Sequence, residues 1–247
     1  KHYTEIGASL TGHQLVSVLL NWGNDVNAQR LLDGSDQYDW TDVQDDGTRH
    51  KWTAEGVRRV IEKEFSAEEL QAAQDVWRLF DELWPEVVAL EERMGNRPPV
   101  RQEPRSSTFT LNDGQVVTLE GGYYPICFDR GVSDRSAQQE DEAASLAQFG
   151  MSASNSTTYQ GFVKSRATSA GGRPLSLTDR AGFEGLDAVI HDLSWREAIV
   201  NANKLFADGK ELSRTIRNYW GDKAMQGIRE WIKDCALGDM RQAHFSE

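Results

Sequence analysis

Cysteine is nearly missing from this 247-residue chain: Cys127 and Cys235 stand far apart, outside any CxxC or Cys/His spacing. Neither a disulfide framework nor a zinc site is indicated, and a reducing compartment is the simpler expectation. Positive charge is also short, with 27 Lys and Arg against 39 Asp and Glu, a formal charge of −12. Clustered Lys and Arg are what neutralise phosphates, so this balance opposes a sequence-independent DNA or RNA binder. An ordinary solvated acidic surface is the first reading of that charge, and a surface that meets a basic partner or mimics nucleic acid is the sharper one. No apolar run approaches the roughly 18 residues of a membrane span, and the start of the chain lacks the charged and apolar regions of a signal peptide. A soluble protein is expected. Walker lysine, Rossmann glycine fingerprint, metal-ligand spacing and activated nucleophile are lacking as well, so no reaction and no cofactor is indicated by the residues. The chain opens on Lys1 rather than Met, as expected of a processed product, an excised piece or a trimmed tag.

What is present is helical periodicity. Eight Trp and nine Phe within a 38% hydrophobic composition fit a folded protein. Leu15, Leu19, Trp22 and Val26 share one face of a helix predicted over Thr11 to Leu32, opened by a Thr11/Gln14 capping box and a Leu10/Leu15 staple. Asp33-Gly34 ends it, and Ser35 to Lys51 reads as an exposed acidic loop. A short helix follows from Thr53 to Lys63. Ser66 with Glu69, and Phe65 with Leu70, repeat the box and the staple ahead of a helix through Trp77 and Phe80, which Pro85 either kinks or restarts before Met94. Gly95 and Pro98-Pro99 predict an extended connection. The clear β signal is a hairpin from Ser107 to Glu120 around Asn112-Asp113-Gly114, followed by a corner at Gly121-Gly122-Tyr123-Tyr124-Pro125. Ser133 to Gln148 reads as a polar helix, and Ser152 to Arg173 as a long Ser/Thr/Gly-rich loop expected to be mobile and cut first by proteases. Helices are predicted over Phe183 to Phe206, Lys210 to Trp220 and Asp222 to Leu237, with Gly209 and Gly221 as stops. The expected fold is mainly α: a helical bundle with one inserted β-hairpin. It forms one helical domain over 1–247, with two subdomains, 1–105 and 106–247, as the finer division.

Two polar interruptions of apolar helices are the candidate sites. Asn21, Asn24 and Asn27 recur every three residues with Arg30 one step on, and asparagine disfavours helix interiors, so hydrogen bonds to another segment are expected. In the last third, Leu186, Ile190, Leu193 and Val200 are taken as the buried stripe, flanked by His191, Asp192, Arg196 and Glu197. Asp187 with His191 and Asp192 with Arg196 are i,i+4 pairs. The structural reading is interhelical polar pairing in a single bundle that couples both groups. His191-Asp192 also resembles the dyad of metal-dependent phosphohydrolases, but the other histidines lack matching spacing. Asp42, Gln44, Asp46 and Gly47 imitate a calcium loop whose twelfth position, Thr53, should be Glu. Glu62 with Glu64, or Glu91 with Glu92, could pair as acid and base, although such carboxylates are usually solvated helix faces.

Taken together, the Leu15–Gly34 run, the Gly121–Pro125 corner with Tyr123 and Tyr124, and the run from Val189 through His191-Asp192 to Ala198 resemble a domain of very large phage and prophage proteins. These are the large polyvalent proteins, or internal virion and ejection proteins. The likeness runs from Leu10 to Cys235. It implies a non-catalytic structural or interaction domain of a phage-encoded multidomain protein, packaged or delivered with the genome and found in the virion or the bacterial host cytoplasm. Its partners would be other domains of the parent polypeptide or other virion proteins, without direct nucleic-acid binding. The resemblance supplies no catalytic residues. The alternative is a hydrolase or transferase whose site joins the Asn21–Arg30 and His191–Glu197 segments beneath the Gly121–Pro125 corner.

Overall fold

The computed structural model of the chain describes residues 1–97, 100–126, 128–129, 173–178 and 180–237. The helix expected over Ser133 to Gln148, the prolines 98 and 99, and the Ser152–Arg173 loop apart from Arg173 lie outside the described residues. The fold is mainly helical, with two small antiparallel strand pairs. In chain order these are β1 (His2–Tyr3), β2 (Ala8–Ser9), α1 (Gly12–Asn21), α2 (Asp25–Asp33), a 3₁₀ turn (Ser35–Gln37), α3 (Ala54–Glu64), α4 (Ala67–Arg93), β3 (Ser107–Thr110), β4 (Val116–Leu119), α5 (Arg180–Leu205) and α6 (Glu211–Leu237).

Local chemistry sets most of these boundaries. Thr11 and Gln14 close the expected capping box reciprocally, at 2.8 and 3.3 Å, and Ser66 and Glu69 repeat it at 2.8 and 3.2 Å. The single helix expected from Thr11 to Leu32 is two helices instead. α1 stops at Trp22, and Asn24 restarts the chain by accepting the Asn27 N–H at 2.9 Å as the N-cap of α2. α4 remains helical through Pro85. α6 carries non-helical backbone at Gly221, where a stop was expected.

The β3–β4 hairpin pairs Ser107 with Leu119 and Thr110 with Val116, as the sequence leads one to expect. α3 covers its outer edge with side chains: the Arg58 guanidinium donates to the Thr108 carbonyl at 2.7 Å, and Glu62 accepts the Thr110 N–H at 3.0 Å. A strand edge satisfied in this way offers less to a foreign strand. The N-terminal pair β1–β2, only two residues per strand, escapes a periodicity test because it spans no full alternation. Within the expected exposed acidic loop, residues 42–48 are exposed, but Ser35, Tyr38 and Thr41 are buried. Tyr38 stacks on Trp40 with ring centroids 4.2 Å apart and reaches the Leu175 carbonyl at 2.6 Å, so aromatic packing pins one end of that loop.

The chain divides into two compact units. One draws its described residues from Lys1–Pro85, Val100–Gln138 and Ser165–Gly185, the other from Glu86–Pro99, Gln139–Lys164 and Leu186–Glu247. The units interleave along the chain rather than meeting at one point near residue 105. The first has a core rich in large side chains, among them Trp77, Tyr3, Tyr38, Tyr124, Phe109 and Leu31. In the second, Ile199, Ile232, Cys235 and Ala236 form a core against which Ala202, Phe206 and Ile228 pack.

Candidate functional site

In the first unit the three asparagines form a buried hydrogen-bond network, as expected, and two of its acceptors are carbonyls of the glycine corner. Asn21, Asn24 and Asn27 are each at most 2% exposed. The Asn27 amide donates to the Tyr124 carbonyl at 2.9 Å and to Asn21 Oδ1 at 3.2 Å. Asn24 donates to the Gly122 carbonyl at 3.2 Å, and Asn21 to the Ser17 carbonyl at 2.9 Å. Arg30 is held elsewhere, its guanidinium 5.8 Å from the centre of the Phe128 ring, over which Arg173 also lies at 3.9 Å.

The corner closes on the helix break because both sides lack side chains. The Gly23 carbonyl accepts the Arg105 and Gly122 N–H groups at 2.9 and 2.8 Å. A Cβ on Gly23 would stand 2.4 Å from the Trp77 indole, and one on Gly121, whose φ is +79°, would stand 2.4 Å from the Gly23 carbonyl oxygen. Gln74, absent from the sequence-based candidates, is buried and reads the corner from the other side. Its Oε1 accepts the Glu120 and Gly121 N–H groups at 2.8 and 3.1 Å, and its amide donates to the Gly121 carbonyl at 3.2 Å. Tyr124 is buried edge-on to Phe80, and Tyr123 lies against the same ring. These amides satisfy backbone groups that the sharp corner leaves without a ladder partner. None of them is a nucleophile or a general base.

In the second unit Arg196 is 1% exposed. It donates to Asp192 through two nitrogens, Nε at 2.8 Å, and through a third to Glu91. The expected Asp192–Arg196 pair is therefore present, but buried rather than flanking. The buried face of α5 carries Val189, Asp192, Arg196 and Ile199, whereas Ile190, placed in the stripe by its apolarity, is 47% exposed. Two carboxylates against one guanidinium override hydropathy here, since a charge trio that satisfies itself can occupy a position where an unpaired charge could not. Burial pushes Arg196 toward its neutral form, but hydrogen bonds and attraction from Asp192 and Glu91 outweigh this and hold its pKa above the ordinary value. Glu91 also accepts from the Asn96 amide at 2.9 Å. Its role was readable from spacing, because Glu91 continues the i,i+3/i+4 series through Trp77, Phe80, Trp84 and Val87.

His191 meets the Cys235 carbonyl at 2.8 Å instead of forming the expected pair with Asp187, and Glu197 pairs with Arg93 at 3.2 Å near the surface. Burial first, and the Asp234 charge second, push the Cys235 thiol pKa up, which leaves it a poor nucleophile. The asparagine group and the His191–Glu197 group thus belong to different compact units, each satisfied by its own neighbours. Among the described residues, no three His, Cys, Asp or Glu side chains are arranged to hold a metal ion. In the calcium-like loop, the Asp46 carboxylate instead accepts from the Thr48 hydroxyl and N–H at 2.6 and 2.9 Å, which holds its pKa below the ordinary aspartate value. No helix among the described residues is long and apolar enough to cross a membrane. Comparison with protein-family models, with curated proteins and with solved structures returns no match.

Proposed function

We propose that this chain is a non-catalytic structural or interaction domain of a phage-encoded multidomain protein, packaged or delivered with the genome. The observation that carries the non-catalytic part is the fate of the polar clusters: their donors and acceptors are used on backbone carbonyls and on each other. A site kept for substrate needs groups left uncommitted and converging on a pocket. The phage setting rests on the resemblance of the Leu15–Gly34, Gly121–Pro125 and Val189–Ala198 segments. An interaction role is further supported by α6, which exposes Tyr219, Trp220 and Trp231, residue types that dominate protein interfaces. The partners would be other domains of the parent polypeptide or other virion proteins.

Two measurements test the proposal. Mass spectrometry of purified virus particles should recover peptides of this chain, and their consistent absence from particles would remove the packaging part. The isolated chain should turn over neither peptidoglycan, nucleic acid nor nucleotides. His191→Ala should act through stability alone, at about 1–3 kcal/mol for an unpaired buried partner. Turnover that disappears in His191→Ala while the melting temperature holds would replace the scaffold with an enzyme.

A further inference from the structure

We propose that the cleft between the first turn of α3 and the β3 edge binds the phosphate group of a small phosphomonoester. The proposal is independent of the role suggested above. The cleft measures about 290 Å³, and Trp22, Ala54, Arg58, Arg105, Ser107 and Thr108 are among its lining residues. Ligand sites begin at roughly 300 Å³, so there is room for a phosphate with a short carbon body and none for a polymer.

Two guanidiniums line this one cleft in a chain of net charge −12. Both are held in place by contacts that leave donors over. Arg105 lies 4.4 Å above the centre of a Trp22 ring, with Nε 3.5 Å from Asp25, and its Nη atoms form no hydrogen bond among the described residues. Arg58 is fixed through Nε to Glu62 at 3.1 Å and through Nη2 to the Thr108 carbonyl at 2.7 Å, which leaves Nη1. A planar fork with open N–H groups matches phosphate oxygens, and prior immobilisation lowers the entropy lost on binding.

The backbone adds to this field. Thr108 turns its carbonyl, and by the pleat its N–H, away from β4 toward the edge that lines the cleft. The first turn of the eleven-residue α3 contributes Ala54 and Glu55 to the lining, and their N–H groups have no acceptor within the helix. Among the described residues Glu55 is the one carboxylate lining the cleft, and it is tied to Arg59 at 3.0 Å.

The test is NMR titration of the full ¹⁵N-labelled chain with inorganic phosphate and with phenyl phosphate, at ionic strength held constant with sodium chloride. Saturable shifts are expected at the Ala54, Glu55 and Thr108 amides and at the Arg58 and Arg105 Nε signals, with phenyl phosphate the tighter ligand. Arg105→Gln should weaken binding by about tenfold or more, the scale of a lost charge-assisted hydrogen bond, with signals distant from the cleft unmoved. Arg58→Gln serves as the second variant should the first fail to fold. If neither folds, the wild-type titration decides by where its shifts fall. Absence of saturation with either probe, shifts centred elsewhere, or affinity unchanged in a folded variant would overturn the site. Equal affinity for the two probes would overturn the ester and leave free phosphate as the ligand.

Discussion

Asn24 does at residue scale what the apolar pattern around it cannot. Its side-chain oxygen caps α2 through the Asn27 N–H while its nitrogen donates to the Gly122 carbonyl, so one amide starts a helix and fastens the corner. Replacing Asn24 with Ala removes the cap and leaves a buried carbonyl unpaired, and urea denaturation should show a loss of about 1–3 kcal/mol. Asn24→Ser keeps a capping oxygen and gives up the reach to Gly122, so its cost should be smaller; an equal cost would show that the cap contributes nothing. Arg196 is the counterpart in the second unit. Arg196→Ala strands Asp192 and Glu91 without a cation and should cost about 3–5 kcal/mol by the same assay. A change below about 1 kcal/mol, the level of an exposed ion pair, would refute its burial. The asparagines were legible as a network because their composition conflicts with a helix interior, whereas their acceptors were not, since the Gly122 and Tyr124 carbonyls lie 98 and 97 residues further along. Glu91 was misread for a different reason: its type suggests a solvated face, and only its spacing says otherwise.

At the scale of elements, the chain was most legible where signals are local. Both capping boxes and the Asn112–Gly114 hairpin are written within a few residues and form as expected. The break at Trp22 was hidden because the apolar period carries on through Val26. Only the close approach of the glycine corner gives that break a purpose, and a contact made across so many residues leaves no local trace. α5 was misregistered because hydropathy ranks Ile190 above Arg196 and carries no term for a charge that brings its own partners. Gly221 tests an element boundary directly. Its φ of 81° and ψ of 173° lie where residues other than glycine are strained, while a Cβ there would meet nothing within 4 Å. Gly221→Ala should therefore cost about 1–3 kcal/mol through backbone alone. An unchanged melting temperature with increased helical circular dichroism would show instead that the two segments fuse without penalty.

Charge is the property that belongs to the whole molecule, and it constrains what the local cleft can hold. The sequence makes this part plain, since a surplus of twelve carboxylates needs no fold to be counted. It gives no hint that Arg58 and Arg105 meet at one cleft, because they are brought together by the α3–β3 packing although they stand far apart in the chain. The interleaving of the two compact units was equally hidden, as it depends on which distant segments pack together rather than on any change of composition near residue 105. A duplex presents phosphates over tens of ångströms, and two guanidiniums in a small cleft cannot offset the repulsion of the remaining surface. Fluorescence anisotropy with a labelled 20-base-pair duplex should therefore show no saturable binding at physiological salt. The direction of the salt dependence separates this from mere weakness. Lowering the ionic strength lengthens the screening distance from about 8 Å toward 30 Å, so a net-repulsive molecule should be held off more strongly and anisotropy should stay flat. Binding that appears at low salt, with affinity falling steeply as salt rises, would mean that counterions are released from a basic surface, and the exclusion of nucleic acid drawn from the net charge would fail.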